Sequence, residues 1–474
     1  MGKSQKVIKI PKERKLKFKM PNTLVLIFLT LVLTAICTFI IPGGEYQRVV
    51  KNNRKVPVAD SFQQVPNRPQ GWSIFTSPVK GFSEASSIIA FLLIIGGAFY
   101  VVQETGAITS GIHRMTLLLS QNKKLHMIFI PAMMLIFSLG GAIFGMCEEV
   151  IPFVVIFIPL SISLGYDSIV GLAIPFLGAA AGFGGAFFNP FTVGIAQELS
   201  GVPLYSGLAY RIIVWTIITS VTIAFVMIYA NKIHKNPKAS PVYDLDCAKK
   251  EKMESLSSDV AWNIRHKIVL AIFLSTIVLL VVGILKWEWY ISEIAGLFLG
   301  MGIVCGILGG LNSDALVKAF ATGAKDMMNP VLVIACARAI LVIATEGKIL
   351  DTLLYALSSF ISYFPPVITA WLMFYVQSII NFFVHSGTGQ AALTMPIMAP
   401  LSDLTGITRQ TAVLAFQLCE LINPILPTSG VTMGVLGLAG ISWTTWIKWM
   451  AILTLIYCVL AMALLVWPVM VHWV

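Results

Sequence analysis

Residues 145–165 contain Gly145-Met146-Cys147-Glu148-Glu149, Pro159-Leu160-Ser161 and Leu164-Gly165, and residues 386–406 contain Ser386-Gly387-Thr388-Gly389-Gln390, Pro400-Leu401-Ser402 and Thr405-Gly406. Downstream, Asn189-Pro190 and Thr192-Val193-Gly194 are answered by Thr428-Ser429-Gly430 and Thr432-Met433-Gly434. Pro159 and Pro400 are 241 positions apart (400 − 159), Gly165 and Gly406 keep that offset, and Thr192 and Thr432 differ by 240. A polar block broken by Gly and Pro, written twice into an apolar chain, is the sequence mark of a solute-binding segment in a membrane carrier.

Each block is too interrupted for a simple spanning helix, and irregular backbone at membrane depth survives only inside protein or against a wet cavity. Residues 141–165 and 382–408 therefore read as re-entrant hairpins. Each is followed by a helix broken at Asn189-Pro190 or between Asn423-Pro424 and Gly430. Half-helix ends expose N–H groups on one side and carbonyls on the other, so they can hold a carboxylate and a cation. The expected fold is an all-α polytopic membrane protein of two inverted repeats, each with a re-entrant hairpin and a broken transmembrane helix.

Composition agrees. Of the 474 residues, 57% are hydrophobic and 12% charged, and the mean hydropathy is +0.85. Soluble domains carry about a quarter charged residues, so a soluble enzyme is excluded. The net charge of +11 resides largely in basic runs at Lys3–Lys19 and Lys232–Lys267, beside apolar spans. That placement is a topology signal rather than a nucleic-acid footprint, and it sets the N-terminus and central loop in the cytoplasm. Six of the seven cysteines (Cys37, Cys147, Cys305, Cys336, Cys419, Cys458) lie in apolar segments without metal-ligand spacing, and read as packing residues.

Apolar spans are expected near 24–41, 86–103, 125–140, 168–199 and 208–230, then near 268–285, 291–311, 327–345, 366–384, 409–437 and 445–472. This divides the chain into a basic N-terminus (1–22), a first transmembrane repeat (23–230), a cytoplasmic linker (231–267) and a second repeat with an extra helix (268–474). Pro42–Pro78 reads as a polar loop, and residues 105–124 as an amphipathic interfacial segment. The first apolar run, Leu24–Ile41, is too long for a signal peptide's core and is expected to be a retained helix. Trp443, Trp446, Trp449, Trp467 and Trp473 suit interfacial belts at the ends of the last helix. Five crossings before the linker conflict with the even number that the charges require, so the number of crossings stays open.

Charges in a membrane span are costly and usually face a cavity. Glu148 and Glu149 are therefore candidates to meet substrate or ion; helical neighbours point about 100° apart, so one of them can instead be protonated or cap a hairpin helix. Arg338, mid-span among small residues, offers a planar fork to a substrate carboxylate or pairs permanently with Glu148, Glu149 or Glu420. Asn423 sits one helical turn from Glu420. His385 reads as a helix-entry cap or a proton switch. Asn189, Thr192, Ser386, Thr388, Gln390, Thr428, Ser429 and Thr432 supply neutral polar groups. No catalytic residue and no metal ligand is assigned. With no phosphate-binding G-x-x-x-x-G-K-[ST] in the chain, transport should be exchange or coupled to H⁺ or Na⁺, and no cofactor is expected. H-E-x-x-H and G-x-S-x-G are absent as well, which counts against an intramembrane enzyme.

At these residues the chain resembles the YfcC family, within the wider group of C4-dicarboxylate anaerobic carrier-like proteins. The resemblance starts at Lys17-Phe18-Lys19-Met20-Pro21 and reaches the last helix. Its most specific pieces are Gly145–Glu149 with Ile151-Pro152-Phe153, Asn189–Ala196, Ser386–Ala392, Met395–Leu401 and Pro427–Gly430, joined by Ala337-Arg338-Ala339-Ile340. The resemblance implies a bacterial inner-membrane secondary carrier with small-molecule substrate and lipid as its partners, commonly a homodimer. Some relatives look like arginine–ornithine exchangers, while the group is named for dicarboxylate carriers. Two departures flank the second half-site: His385 replaces a common Pro, and Cys419-Glu420-Leu421 a more Gly/Asp-like stretch. Several carboxylates against one Arg suit a basic amino acid better than a C4-dicarboxylate, which remains the alternative.

Overall fold

The computed structural model describes residues 23–473 except 52–53, 59–60, 109, 112–113, 115–122, 258–262, 288, 290 and 362. The basic N-terminus at 1–22, and with it Lys17–Pro21, lies outside the described residues, as does most of the amphipathic segment 105–124.

The first half runs α1 (Thr23–Ile40), strands β1 (Gly43–Glu45), β2 (Arg48–Lys51), β3 (Arg54–Pro57) and β4 (Gln63–Val65), then α2 (Ser73–Glu84), α3 (Ser86–Glu104) and α4 (Lys123–Phe144). It continues through a 3₁₀ turn (Glu148–Val150), α5 (Ile151–Ser163), α6 (Ser168–Gly184), a π turn (Pro190–Gly194), α7 (Ile195–Ser200) and α8 (Leu208–Lys235). Next come α9 (Tyr243–Ser257), α10 (Ile264–Trp287), α11 (Ile291–Gly309), α12 (Ser313–Asp326) and α13 (Met328–Glu346). The remainder is α14 (Ile349–Ile361), α15 (Pro366–Phe383), α16 (Gly387–Leu404), α17 (Arg409–Cys419), a 3₁₀ segment (Glu420–Ile425), α18 (Gly430–Ala439) and α19 (Trp443–Met470). Among the described residues, seven of these stretches are long and apolar enough to cross a membrane. The chain is a nearly all-helical, multi-pass membrane protein.

Packing repeats across the halves. Helix α2 lies on α13 as α12 lies on α3; α4 lies on α6 as α15 lies on α17; α5 meets α18 as α16 meets α7. Bare backbone permits these approaches, because lipid offers no hydrophobic drive and helices must gain from close contact. A Cβ at Gly182 would sit 1.9 Å from the Ser138 carbonyl oxygen on α4, and one at Gly81 would sit 2.2 Å from that of Ala335 on α13.

Two expectations need correction. The stretch 42–78 is not simply a loop: β2 and β3 form a hairpin nested between paired β1 and β4, and α2 follows. The hairpin is anchored on the start of α14, where Arg48 Nη2 reaches both Asp351 carboxylate oxygens (2.7 and 2.8 Å) and Lys348 pairs with Glu45. The Lys348 hydrogen bond holds the Glu45 carboxyl below the usual carboxylate range. Where it is described, the linker packs on both halves: Asp246 of α9 takes the N–H of Ser168 at the start of α6 (2.8 Å), and Lys249 reaches the Ala439 carbonyl (2.7 Å).

The second correction concerns the tryptophans. Trp446 is not interfacial but fully buried, and its indole N–H donates to the Pro424 carbonyl (2.8 Å). Trp443 does the same for Ile425 (2.9 Å). Breaking a helix at 420–430 frees these carbonyls, and the indoles take the place of the missing backbone donors. Trp446→Phe, which leaves the Pro424 carbonyl bare, is expected to cost about 1–3 kcal/mol, read as a lower melting temperature of the purified protein in detergent. An unchanged melting temperature would show that this bond is not what holds the break.

Candidate functional site

The two duplicated segments meet around one cavity of about 210 Å³. Gly145, with φ of +73°, turns the chain out of α4, and the Glu148–Val150 turn then starts α5. A side chain at Gly145 would strike the Asn189 Oδ1 (2.7 Å), so the turn and the helix break are fitted to each other. From the second half, Ser386 caps α16 by accepting the Gly389 N–H (3.3 Å), and Ser429 caps α18 by accepting the Thr432 N–H (3.3 Å). Both helices thus begin on the cavity wall, where their N-termini favour negative charge.

Of the residues singled out from sequence, the cavity is lined by Glu148, Glu149, Arg338, Ser386, Thr388, Asn423, Thr428 and Ser429. The two adjacent carboxylates differ. Glu149 is buried and turns back to accept the Cys147 N–H (2.8 Å). Glu148 carries no such backbone tie to Cys147 and lines the cavity.

Asn189, Thr192 and Gln390 lie off the wall and are fully buried. Asn189 caps the π turn through the Phe191 N–H (2.9 Å). Gln390 donates to the Gln377 backbone and side-chain oxygens (both 2.8 Å). The methyl of Thr192 packs against Gly387, where any Cβ would come within 2.5 Å of it. These contacts tie the helix break at Asn189 and the start of α16 to their neighbours. The cap foreseen at His385 belongs to its neighbour Ser386, and His385 itself lies on the cavity wall.

Arg338 pairs with none of its expected partners. Its Nε lies 3.3 Å from Glu84 Oε2, without the alignment of a hydrogen bond, and both side chains stay partly exposed to the cavity. Sequence reading missed Glu84 because it ends α2, outside both duplicated blocks. It also missed Cys147, Phe183 and Phe191 on the wall, since apolar residues beside a polar motif look like packing. Among the described residues, Glu148, Glu149 and Glu420 form no ion pair. The site therefore holds one neutralised Glu–Arg pair and several carboxylates with no cation of their own. No cluster of three metal-ligating side chains occurs among the described residues.

Comparison with known proteins gives the same class. The family model described as "DcuC: C4-dicarboxylate anaerobic carrier" matches residues 20–470. YfcC of Escherichia coli (strain K12), whose name proposes a basic amino acid antiporter, is 35% identical over 463 residues, covering 88% of this chain and 91% of its own. A protein of Haemophilus influenzae without an assigned role is 26% identical over 467 residues, covering 89% of this chain and 91% of its own. Among solved structures, the YdaH transporter of Alcanivorax borkumensis aligns at 14% identity with a TM-score of 0.42, covering 96% of this chain and 99% of that one.

Proposed function

This chain belongs to the C4-dicarboxylate anaerobic carrier family, a family of secondary transporters, and from that premise we propose that it exchanges basic amino acids across the bacterial inner membrane. The observation that carries this reading is the charge balance of the cavity. Its single Arg is already matched by Glu84, while Glu148 and Glu149 have no cationic partner. A buried carboxylate without a partner is costly, and a solute with two positive charges and one negative relieves that cost. In this reading Arg338 and the N-termini of α16 and α18 receive the substrate carboxylate, displacing Glu84. Glu148 receives the α-ammonium.

The relative YfcC, named for basic amino acid antiport, supports the same assignment. We read the exchanged packing of the halves as two inverted repeats with hairpins at Gly145 and Ser386, divided at the 231–267 linker. The basic linker ends place it, and the N-terminus, on the cytoplasmic side. The family model's description favours a second reading, a C4-dicarboxylate carrier in which Glu148 holds a coupling proton or Na⁺. Two carboxylates entering this cavity would meet like charge at Glu148 and Glu149.

Counterflow separates the two. Liposomes loaded with unlabelled arginine are expected to accumulate labelled arginine, with ornithine competing. Succinate-loaded vesicles should accumulate no labelled succinate. Succinate accumulation without arginine accumulation would overturn the proposal.

A further inference from the structure

Beside the main cavity lies a second, smaller one of about 30 Å³, which shares the walls Cys147, Phe183, Asn423, Ser429 and Val431 with it. Its floor holds Glu420. That residue is 2% exposed; Oε2 accepts from Asn423 Nδ2 (3.1 Å), the Asn381 side chain stands beside the carboxylate, and Oε1 has no well-aligned donor and no cation. Asn423 Oδ1 is also unpartnered. The rest of the wall is largely apolar: Val150, Phe176, Ala179, Ala180 and Pro424.

We propose that this side pocket is the subsite for the side-chain cation of the transported amino acid, an ammonium or guanidinium at the end of a methylene stem. The inference rests on the basic amino-acid reading above and adds the group that selects the side chain. A free carboxylate oxygen buried against an apolar wall is costly unless a cation comes to it. The apolar wall decides which cation. An inorganic ion surrenders its water only to a shell of about six oxygens or more; Glu420, Asn423, Ser429 and Thr432 bring side-chain oxygens to one side of the pocket, Thr432 already spends its hydroxyl on the Asn423 carbonyl, and Val150, Phe176 and Ala179 opposite bring none. The pocket itself has room for little more than the cationic head, about 30 Å³, and the methylene stem gains by burial against Phe183 and Val431, which line both cavities. A neutral side chain of equal length would fill the pocket but leave Glu420 unpaired, so the pocket selects by charge as well as shape.

The test compares arginine with citrulline, its uncharged near-isostere, as competitors of labelled-arginine counterflow by the full-length protein in liposomes. Wild type should prefer arginine by about a hundredfold, the scale of a buried charge pair. Glu420→Gln, which keeps volume and removes charge, should weaken arginine until the two compete about equally. Ala180→Leu fills the pocket from α6 with the carboxylate intact. It should weaken arginine by about tenfold or more and spare the short 2,3-diaminopropionate. Melting curves identify a variant that fails to fold, and the Ala180 variant then carries the test. An arginine-to-citrulline preference that survives Glu420→Gln overturns the subsite; where Glu420→Gln fails to fold, arginine competition left undiminished by Ala180→Leu overturns it. Wild type that exchanges both equally overturns it too, while leaving amino-acid exchange standing. Wild type that takes up neither overturns the proposed function, and the subsite with it.

Discussion

Replacing Arg338 by Gln is expected to lower arginine exchange by about a hundredfold or more, with little loss of stability. The geometry separates the two effects. The Glu84 partner is 3.3 Å away, misaligned, and on a half-exposed side chain, so their mutual pairing is worth at most about 1 kcal/mol. A loosely held guanidinium is one that a substrate carboxylate can capture, since its planar fork then makes two aligned bonds in place of one poor contact. Lysine should rescue poorly, because a point charge cannot reproduce the fork. The double variant Glu84→Gln/Arg338→Gln tests the alternative. If Arg338 serves only to neutralise Glu84, removing both charges restores exchange. If Arg338 binds substrate, the double variant stays inactive while its melting temperature matches wild type.

The sequence made the site legible where chemistry was duplicated. Gly145–Glu149, Ser386–Thr388 and Asn423–Gly430 supplied most of the polar cavity wall, while Asn189-Pro190 marked the helix break beside it. Helix positions were equally legible, because an apolar run near 20 residues long has few ways to be stable in lipid. What escaped was partnership across long sequence distances. Glu84 meets Arg338 only because Gly81 lets α2 settle on the Ala335–Ala339 stretch of α13. No spacing rule links positions so far apart. Trp446 misled for a related reason: at the end of a long apolar helix an indole suits the interface, but the broken helix beside it had carbonyls to satisfy. Asn189 and Gln390 each commit one amide atom to the scaffold and leave the other, Asn189 Nδ2 and Gln390 Oε1, buried without a partner. A sequence cannot distinguish hydrogen bonding within the scaffold from bonding to a solute.

Glu148 and Glu149, adjacent and both acidic, should separate cleanly under substitution. Glu148→Gln is expected to reduce arginine exchange by about a hundredfold while the melting temperature holds or rises, because a carboxylate without an ion-pair partner is removed from a cavity that already has too many. Glu149→Gln should keep both fold and exchange near wild type, since the amide oxygen can still accept the Cys147 N–H. Glu149→Leu cannot, and leaves that buried donor bare at a cost of about 1–3 kcal/mol. The stability loss should therefore appear at Glu149 only when the acceptor is lost, and the transport loss at Glu148 when the charge is lost. Counterflow and melting curves on the three variants read both quantities. If Glu149→Gln abolishes exchange while Glu148→Gln spares it, the carboxylate that turns back to its own backbone is the one that meets the substrate. The resting hydrogen bond to Cys147 would then have to break in every transport cycle, and arginine should protect Glu149, not Glu148, from carbodiimide modification.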